Sequence, residues 1–135
     1  MRIAVVLIMW AGLATPAVAD QRFEFAPFEI PTSGRIVVPV VEGEALTGIA
    51  ATIDQRSNGA LTVAAREARF TGESESTLTL LGVAPFSRID LVGVGKESIS
   101  RVAAENFGGI AAALLGETEG GSVHILWPEE NVDTE

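Results

Sequence analysis

The polar and apolar positions along the chain fall into seven segments. "RFEFAPFEI", Arg22 to Ile30, alternates apolar and polar residues around Pro27, the pattern of an edge strand or an extended arm. Pro31-Thr32-Ser33-Gly34 then marks a turn. "RIVVPVVE", Arg35 to Glu42, is β-branched and almost continuously apolar, as a strand covered on both faces is. Pro39 inside it cannot donate to a ladder, so this strand either has one free side or bulges there. From Glu44 to Phe70 the spacing is helical in two pieces separated by Ser57-Asn58-Gly59. Leu46, Ile49, Ala50 and Ile53 form the apolar stripe of the first, and Leu61, Ala64, Ala65 and Ala68 that of the second. Gly72 follows as the turn or stop, and Phe70 is expected to be buried at the junction.

"STLTLLGVA", Ser76 to Ala84, and "RIDLVGVG", Arg88 to Gly95, read as strands joined by a short turn at Pro85-Phe86-Ser87. Ser98 is placed to cap a helix reaching about Leu115, with Ile99, Val102, Ala103, Phe107, Ile110, Ala111 and Leu114 on one face. Gly108-Gly109 in its middle costs about 1 kcal/mol per glycine relative to alanine, which suggests close packing against the sheet or a break. "SVHILWP", Ser122 to Pro128, makes a last strand, before an acidic tail over 129–135. Apolar strands alternating with helices predict an α/β fold: a mixed sheet with helices on both faces, a three-layer sandwich.

The first nineteen residues do not belong to that pattern. Arg2, the apolar run Ile3 to Ala14, and Ala17-Val18-Ala19 have the three parts of a secretory signal cut after Ala19. The run stops at Thr15-Pro16, short of the ~20 apolar residues a spanning helix needs. Export to the periplasm or the medium is therefore expected. The remaining residues 20–135 make one domain, with 20–34 as its arm or edge strand and no second domain. A chain of that size buries roughly 65% of its unfolded surface.

Charge and composition narrow the partners. Loss of Arg2 with the signal takes the formal charge from −9 to −10, since all 18 acidic residues lie after the cut. Such a surface repels nucleic-acid phosphates and anionic lipid, so neither is expected as a partner. The chain has no cysteine, which excludes disulfides, thiolate metal sites and cysteine catalysis. Both methionines, Met1 and Met9, lie in the signal.

"VVPVVEGEALTGIAATID", "GALTVAAREARFTGESESTLTLL" and "RIDLVGVGKES" together, in this order and spacing, resemble the N-terminal domain of the leucyl (cytosol) aminopeptidase family. The resemblance covers about Arg35 to Pro128. It implies a fold like that of a macro domain. It also implies that peptide hydrolysis belongs elsewhere, in a larger C-terminal domain where lysine, aspartates and a glutamate hold two metal ions beside an "N-T-D-A-E-G-R" segment. Nothing like that segment occurs here. In the family the N-terminal domain decorates a hexameric catalytic core, so homo-oligomerisation or association with a catalytic subunit is a further implication.

Residue types for chemistry are sparse. His124, the only histidine, alternates with Val123 and Ile125 in a strand and reads as a surface or structural group. Asp54 and Asp90 stand far apart in sequence, and Asp90 inside a strand suits an edge or a hydrogen bond. A two-metal centre needs several converging carboxylates, and a serine triad has no G-x-S-x-G elbow here. Glu73 and Glu75 read as a solvated loop, and Trp127 as core rather than an interface anchor. Expected catalytic, metal and cofactor residues are therefore none. "GVGK" before a helix makes Gly93, Gly95 and Lys96 ligand-loop candidates, because helix-start amides attract anions. Neither full phosphate-loop nor dinucleotide pattern is met. Macro domains bind ADP-ribose through glycine-rich loops at similar places, and "NFGGIAA", Asn106 to Ala112, adds slightly to that analogy. The leading expectation is an exported, non-catalytic module that binds a protein or small ligand. The alternatives are a truncated or split aminopeptidase and an ADP-ribose binder.

Overall fold

The computed structural model describes residues 29–96, 100–116 and 122–128. The expected signal, the acidic tail, residues 20–28 of the arm, and the expected cap Ser98 with Ile99 lie outside the described residues. Four strands and three helices follow in the order β1 (Gly34–Val41), α1 (Gly48–Arg56), α2 (Ala60–Glu67), β2 (Thr77–Leu81), β3 (Phe86–Gly95), α3 (Arg101–Gly116) and β4 (Val123–Ile125). The sheet order is β2-β3-β1-β4. β1 runs parallel to both β3 and β4, and β2 is antiparallel to β3, so the sheet is mixed as predicted.

Period-two alternation divides β1 and β3 between two cores. Ile36, Val38 and Val40 of β1 and Ile89 and Leu91 of β3 meet Ala50, Ile53 and Leu61 of α1 and α2 on one face. Val37, Val92 and Val94 meet Ala103, Phe107 and Ala111 of α3 on the other. Ile36, Ile53, Leu61, Ile89 and Leu91 are all 0% exposed, and each such side chain contributes about 1.5–3 kcal/mol by leaving water. Trp127 is half-buried and packs on this second core, its ring 5.0 Å from that of Phe107 and tilted by 44°.

Pro39 shows why β1 tolerates a proline. Val37 offers its carbonyl to the Leu126 N–H on the β4 side. By alternation, Pro39 faces that same side, one step beyond the last residue β4 pairs with. The missing donor is the one that would next have met the Leu126 carbonyl, so pairing with β4 ends there, and the register irregularities against β3 fall at Gly34/Arg35 and Val40/Val41 instead.

The helix break after Arg56 stands where the sequence puts it, with Asn58 and Gly59 both in the left-handed region at φ 56° and 81°. Gly59 has no side chain to cap α2. Asp54, one turn back in α1, does so: its carboxylate accepts the Thr62 N–H at 2.9 Å and the Thr62 hydroxyl at 2.6 Å.

Several expectations need correction. α1 starts at Gly48, so residues 44–47 are not helical, and Ala68 is exposed rather than on the apolar stripe. α3 is capped by Ser100, whose hydroxyl accepts the Ala103 N–H at 3.0 Å. Val102 lies away from the sheet and is 63% exposed. Gly108 and Gly109 neither break α3 nor pack closely, for a Cβ at either would meet nothing within 4 Å. β3 begins at Phe86 instead of Arg88, because Phe86 aligns with Gly34 and is buried in the core, which confines the turn to 82–85. Glu29 and Ile30, the described end of the arm, are not in a strand; Ile30 packs on the first core, and Arg56 donates from Nη1 to the Ile30 and Pro31 carbonyls at 3.1 Å. No helix among the described residues is long and apolar enough to cross a membrane.

Candidate functional site

β1 sends the chain to α1 on one face of the sheet, and its parallel neighbour β3 sends it to α3 on the other. In open α/β sheets the crevice at the carboxyl ends of two such strands is where ligands bind. Here that crevice is filled by the chain itself. Thr71 to Ser76, between α2 and β2, lie across the ends of β1 and β3 as a strap held by four backbone bonds. Gly43 N–H donates to the Thr71 carbonyl at 3.0 Å, and Gly95 N–H to the Gly72 carbonyl at 3.0 Å. Glu75 N–H donates to the Gly93 carbonyl at 3.1 Å, and Gly93 N–H to the Ser76 carbonyl at 2.7 Å.

The glycines make that approach possible. A Cβ on Gly93 would lie 2.0 Å from the Glu73 carbonyl oxygen, 2.4 Å from the Ser76 hydroxyl and 2.7 Å from the Gly72 carbonyl carbon. Gly72, at φ +85°, would bring a Cβ to 2.9 Å from the Val41 carbonyl oxygen. The Phe-Thr-Gly junction is thus more than a stop after α2. Phe70 is half-buried against the first core, and Gly72 turns the strap onto the strand ends.

Beside the strap, an open recess of about 420 Å³ lies between the strand ends and the first turns of α3. Glu42, Ser74, Gly95, Lys96, Ser100 and Asn106 are among its lining residues. Of the three ligand-loop candidates, Lys96 and Gly95 reach this recess, and Gly93 is enclosed by the strap. The amides of Gly93 and Gly95 are already donated to Ser76 and Gly72, so that of these three candidates the exposed Lys96 ammonium is, among the described residues, the group that can meet a ligand. Glu42 shares the recess, so its lining carries both signs of charge. No sequence signal marks Glu42 or Ser74, whereas Asn106 opens the "NFGGIAA" stretch; only the crossing of strap and helix brings the three together.

The other candidates are dispersed. Asp90 is buried on β3, bound by Arg88 Nε at 2.8 Å and by the Thr79 hydroxyl on β2, so it joins two strands. Asp54 caps α2, as above. His124 is exposed on β4, aligned with Ile36 of β1. Glu73 and Glu75 are exposed in the strap. Among the described residues no three His, Cys, Asp or Glu side chains are grouped to hold a metal ion.

The family described as "Cytosol aminopeptidase family, N-terminal domain" matches residues 37–135. Among solved structures the chain is similar to a leucine aminopeptidase mutant from tomato, at 21% identity and a TM-score of 0.60. That match covers 82% of this chain and 23% of the tomato chain. At this identity the likeness establishes the fold, and the chain spans less than a quarter of its relative's length. No curated protein matches.

Proposed function

This chain belongs to the cytosol aminopeptidase family by way of that family's N-terminal domain, and from that premise we propose that it is an exported, non-catalytic binding or assembly module. The observation that carries the reading is the strap. The crevice in which a doubly wound sheet holds a ligand is occupied by Thr71–Ser76 and closed with backbone hydrogen bonds, and what stays open is a shallow recess with Lys96 and Glu42 on its wall. A recess of mixed charge without a paired nucleophile and base suits the docking of a protein segment or small polar ligand better than a hydrolytic step. Export rests on the three-part leader in residues 1–19.

The second reading is a truncated or split aminopeptidase, in keeping with the family of the matched N-terminal domain. In that case the module assembles with a separately supplied metal-bearing part. Translation of the neighbouring downstream DNA in all frames separates the two, a two-metal motif there favouring the split enzyme and an unrelated gene the lone module. Hydrolysis of a leucyl anilide in the presence of manganese or zinc tests the non-catalytic reading itself. The chain alone is expected to give no turnover above a blank, and metal-dependent release of the aniline by the chain alone refutes the non-catalytic reading. An ADP-ribose site in the recess is a third reading, supported by Lys96; absence of heat in calorimetry at millimolar ligand rejects it.

A further inference from the structure

The two edges of this sheet are protected unequally. β4 is three residues long, and where β1 runs on past it Pro39 withholds a donor. β2 has neither protection. Thr77–Leu81 carries no charge and no proline, and its register against β3 runs without a bulge. Natural sheets ordinarily blunt such an edge with one of these devices.

Among the described residues, the pairing shows which backbone groups of β2 are spare. Gly93 N–H bonds the Ser76 carbonyl and Gly82 N–H bonds the Ser87 carbonyl, so the even-numbered residues of β2 turn their polar groups to β3. By antiparallel alternation, Thr77, Thr79 and Leu81 turn theirs outward. Their side chains stand on the same face as Val92 and Asp90, the face that carries α3, at the edge where α3 packs on β3 rather than on β2. All three are exposed, Leu81 to 72%.

We propose that a second copy of this chain occupies the β2 edge, antiparallel across a two-fold axis through Thr79, joining two four-stranded sheets into one. In that register Thr79 pairs with the partner's Thr79 and Thr77 with the partner's Leu81, and every outward N–H and C=O of the three residues is used. A slip by two residues leaves a third of them unpaired. The register also separates like charges. Glu75 falls opposite the partner's Val83, and Arg88 and Asp90, in the adjoining row, already pair with each other. Leu81 gains cover from the partner's Thr77. Among the described residues no other segment lies along the β2 edge.

The inference deepens the assembly reading and fails separately from it: metal-dependent hydrolysis would sink the non-catalytic module and leave the dimer standing. The test is sedimentation equilibrium of the chain as recovered after export, over a wide concentration range at low and moderate salt. The mass is expected to double with concentration, more readily at moderate salt, where repulsion between two strongly acidic copies is screened. Thr79→Pro removes an outward N–H and no backbone bond to β3, but also the Thr79 hydroxyl bond to Asp90, so Thr79→Val, which loses that side-chain bond alone, is its control. Against Thr79→Val it is expected to keep its circular dichroism and weaken association more than about tenfold. Thr79→Cys gives the chain a single thiol at the axis, which a short bis-alkylating reagent should bridge between copies, whereas Val63→Cys, exposed on α2, should not bridge. A monomer throughout, with Thr79→Cys bridging no more than Val63→Cys, overturns the proposal. So does a monomer whose Thr77, Thr79 and Leu81 amides resist exchange, which would place another segment such as residues 22–28 on the edge. A dimer untouched by Thr79→Pro overturns it as well.

Discussion

Gly93→Ala tests whether the strap is a fixed part of the fold. The new methyl carbon would sit 2.0 Å from the Glu73 carbonyl oxygen and 2.7 Å from the Gly72 carbonyl carbon, both backbone atoms. An ordinary contact needs roughly 3.4 Å or more, so the strap must retreat by more than about 1 Å. It has no slack, because Thr71 and Gly72 are held by the Gly43 and Gly95 amides and Gly72 already lies against Val41. Retreat breaks the bonds from Glu75 N–H to Gly93 O and from Gly93 N–H to Ser76 O. Two such bonds contribute about 1 kcal/mol each, and stranding a buried amide and carbonyl costs about 1–3 kcal/mol more. Alanine returns about 0.5–1 kcal/mol by restricting the unfolded chain. The net loss is about 3 kcal/mol, a fall in Tm of roughly 12 °C for a domain of this size. Thermal unfolding followed by circular dichroism reads it directly. A Tm within about 2 °C of the parent would refute the strap as a rigid element.

Other substitutions probe the remaining supports. Gly108→Ala and Gly109→Ala, in open space on α3, should each raise stability by about 0.5–1 kcal/mol in the same melt, opposite in sign to Gly93→Ala. Asp54→Ala should cost about 1 kcal/mol by uncapping α2, measurable as a shifted urea midpoint at constant m, with Asp54→Asn recovering part of it. Asp90→Asn keeps the shape but removes the charge facing Arg88. Because Arg88 retains 20% exposure, the loss should be about 2 kcal/mol, less than for a fully buried pair, again by urea unfolding.

What the sequence determined by itself is local. The β-branched run of β1, the two helices divided at Ser57-Asn58-Gly59, the turn at Gly72 and the alternation of strands with helices all follow from periodicity and backbone chemistry, and they suffice for a three-layer mixed sheet. The joint order of three short segments also identified the family domain. The errors lie where tertiary contacts overrule local signals. Phe86 reads as turn because it follows Pro85, yet its alignment with Gly34 draws it into the core and lengthens β3. Gly108-Gly109 reads as a close-packing device, yet which side of α3 meets the sheet depends on Ala103, Phe107 and Ala111. "GVGK" does put Gly95 and Lys96 on the recess, but only the folded chain shows its glycine amides donated to a strap that begins some twenty residues earlier. That encounter is non-local: periodicity tells which face of a strand is buried, but what is laid across its end is decided by how the chain returns to it.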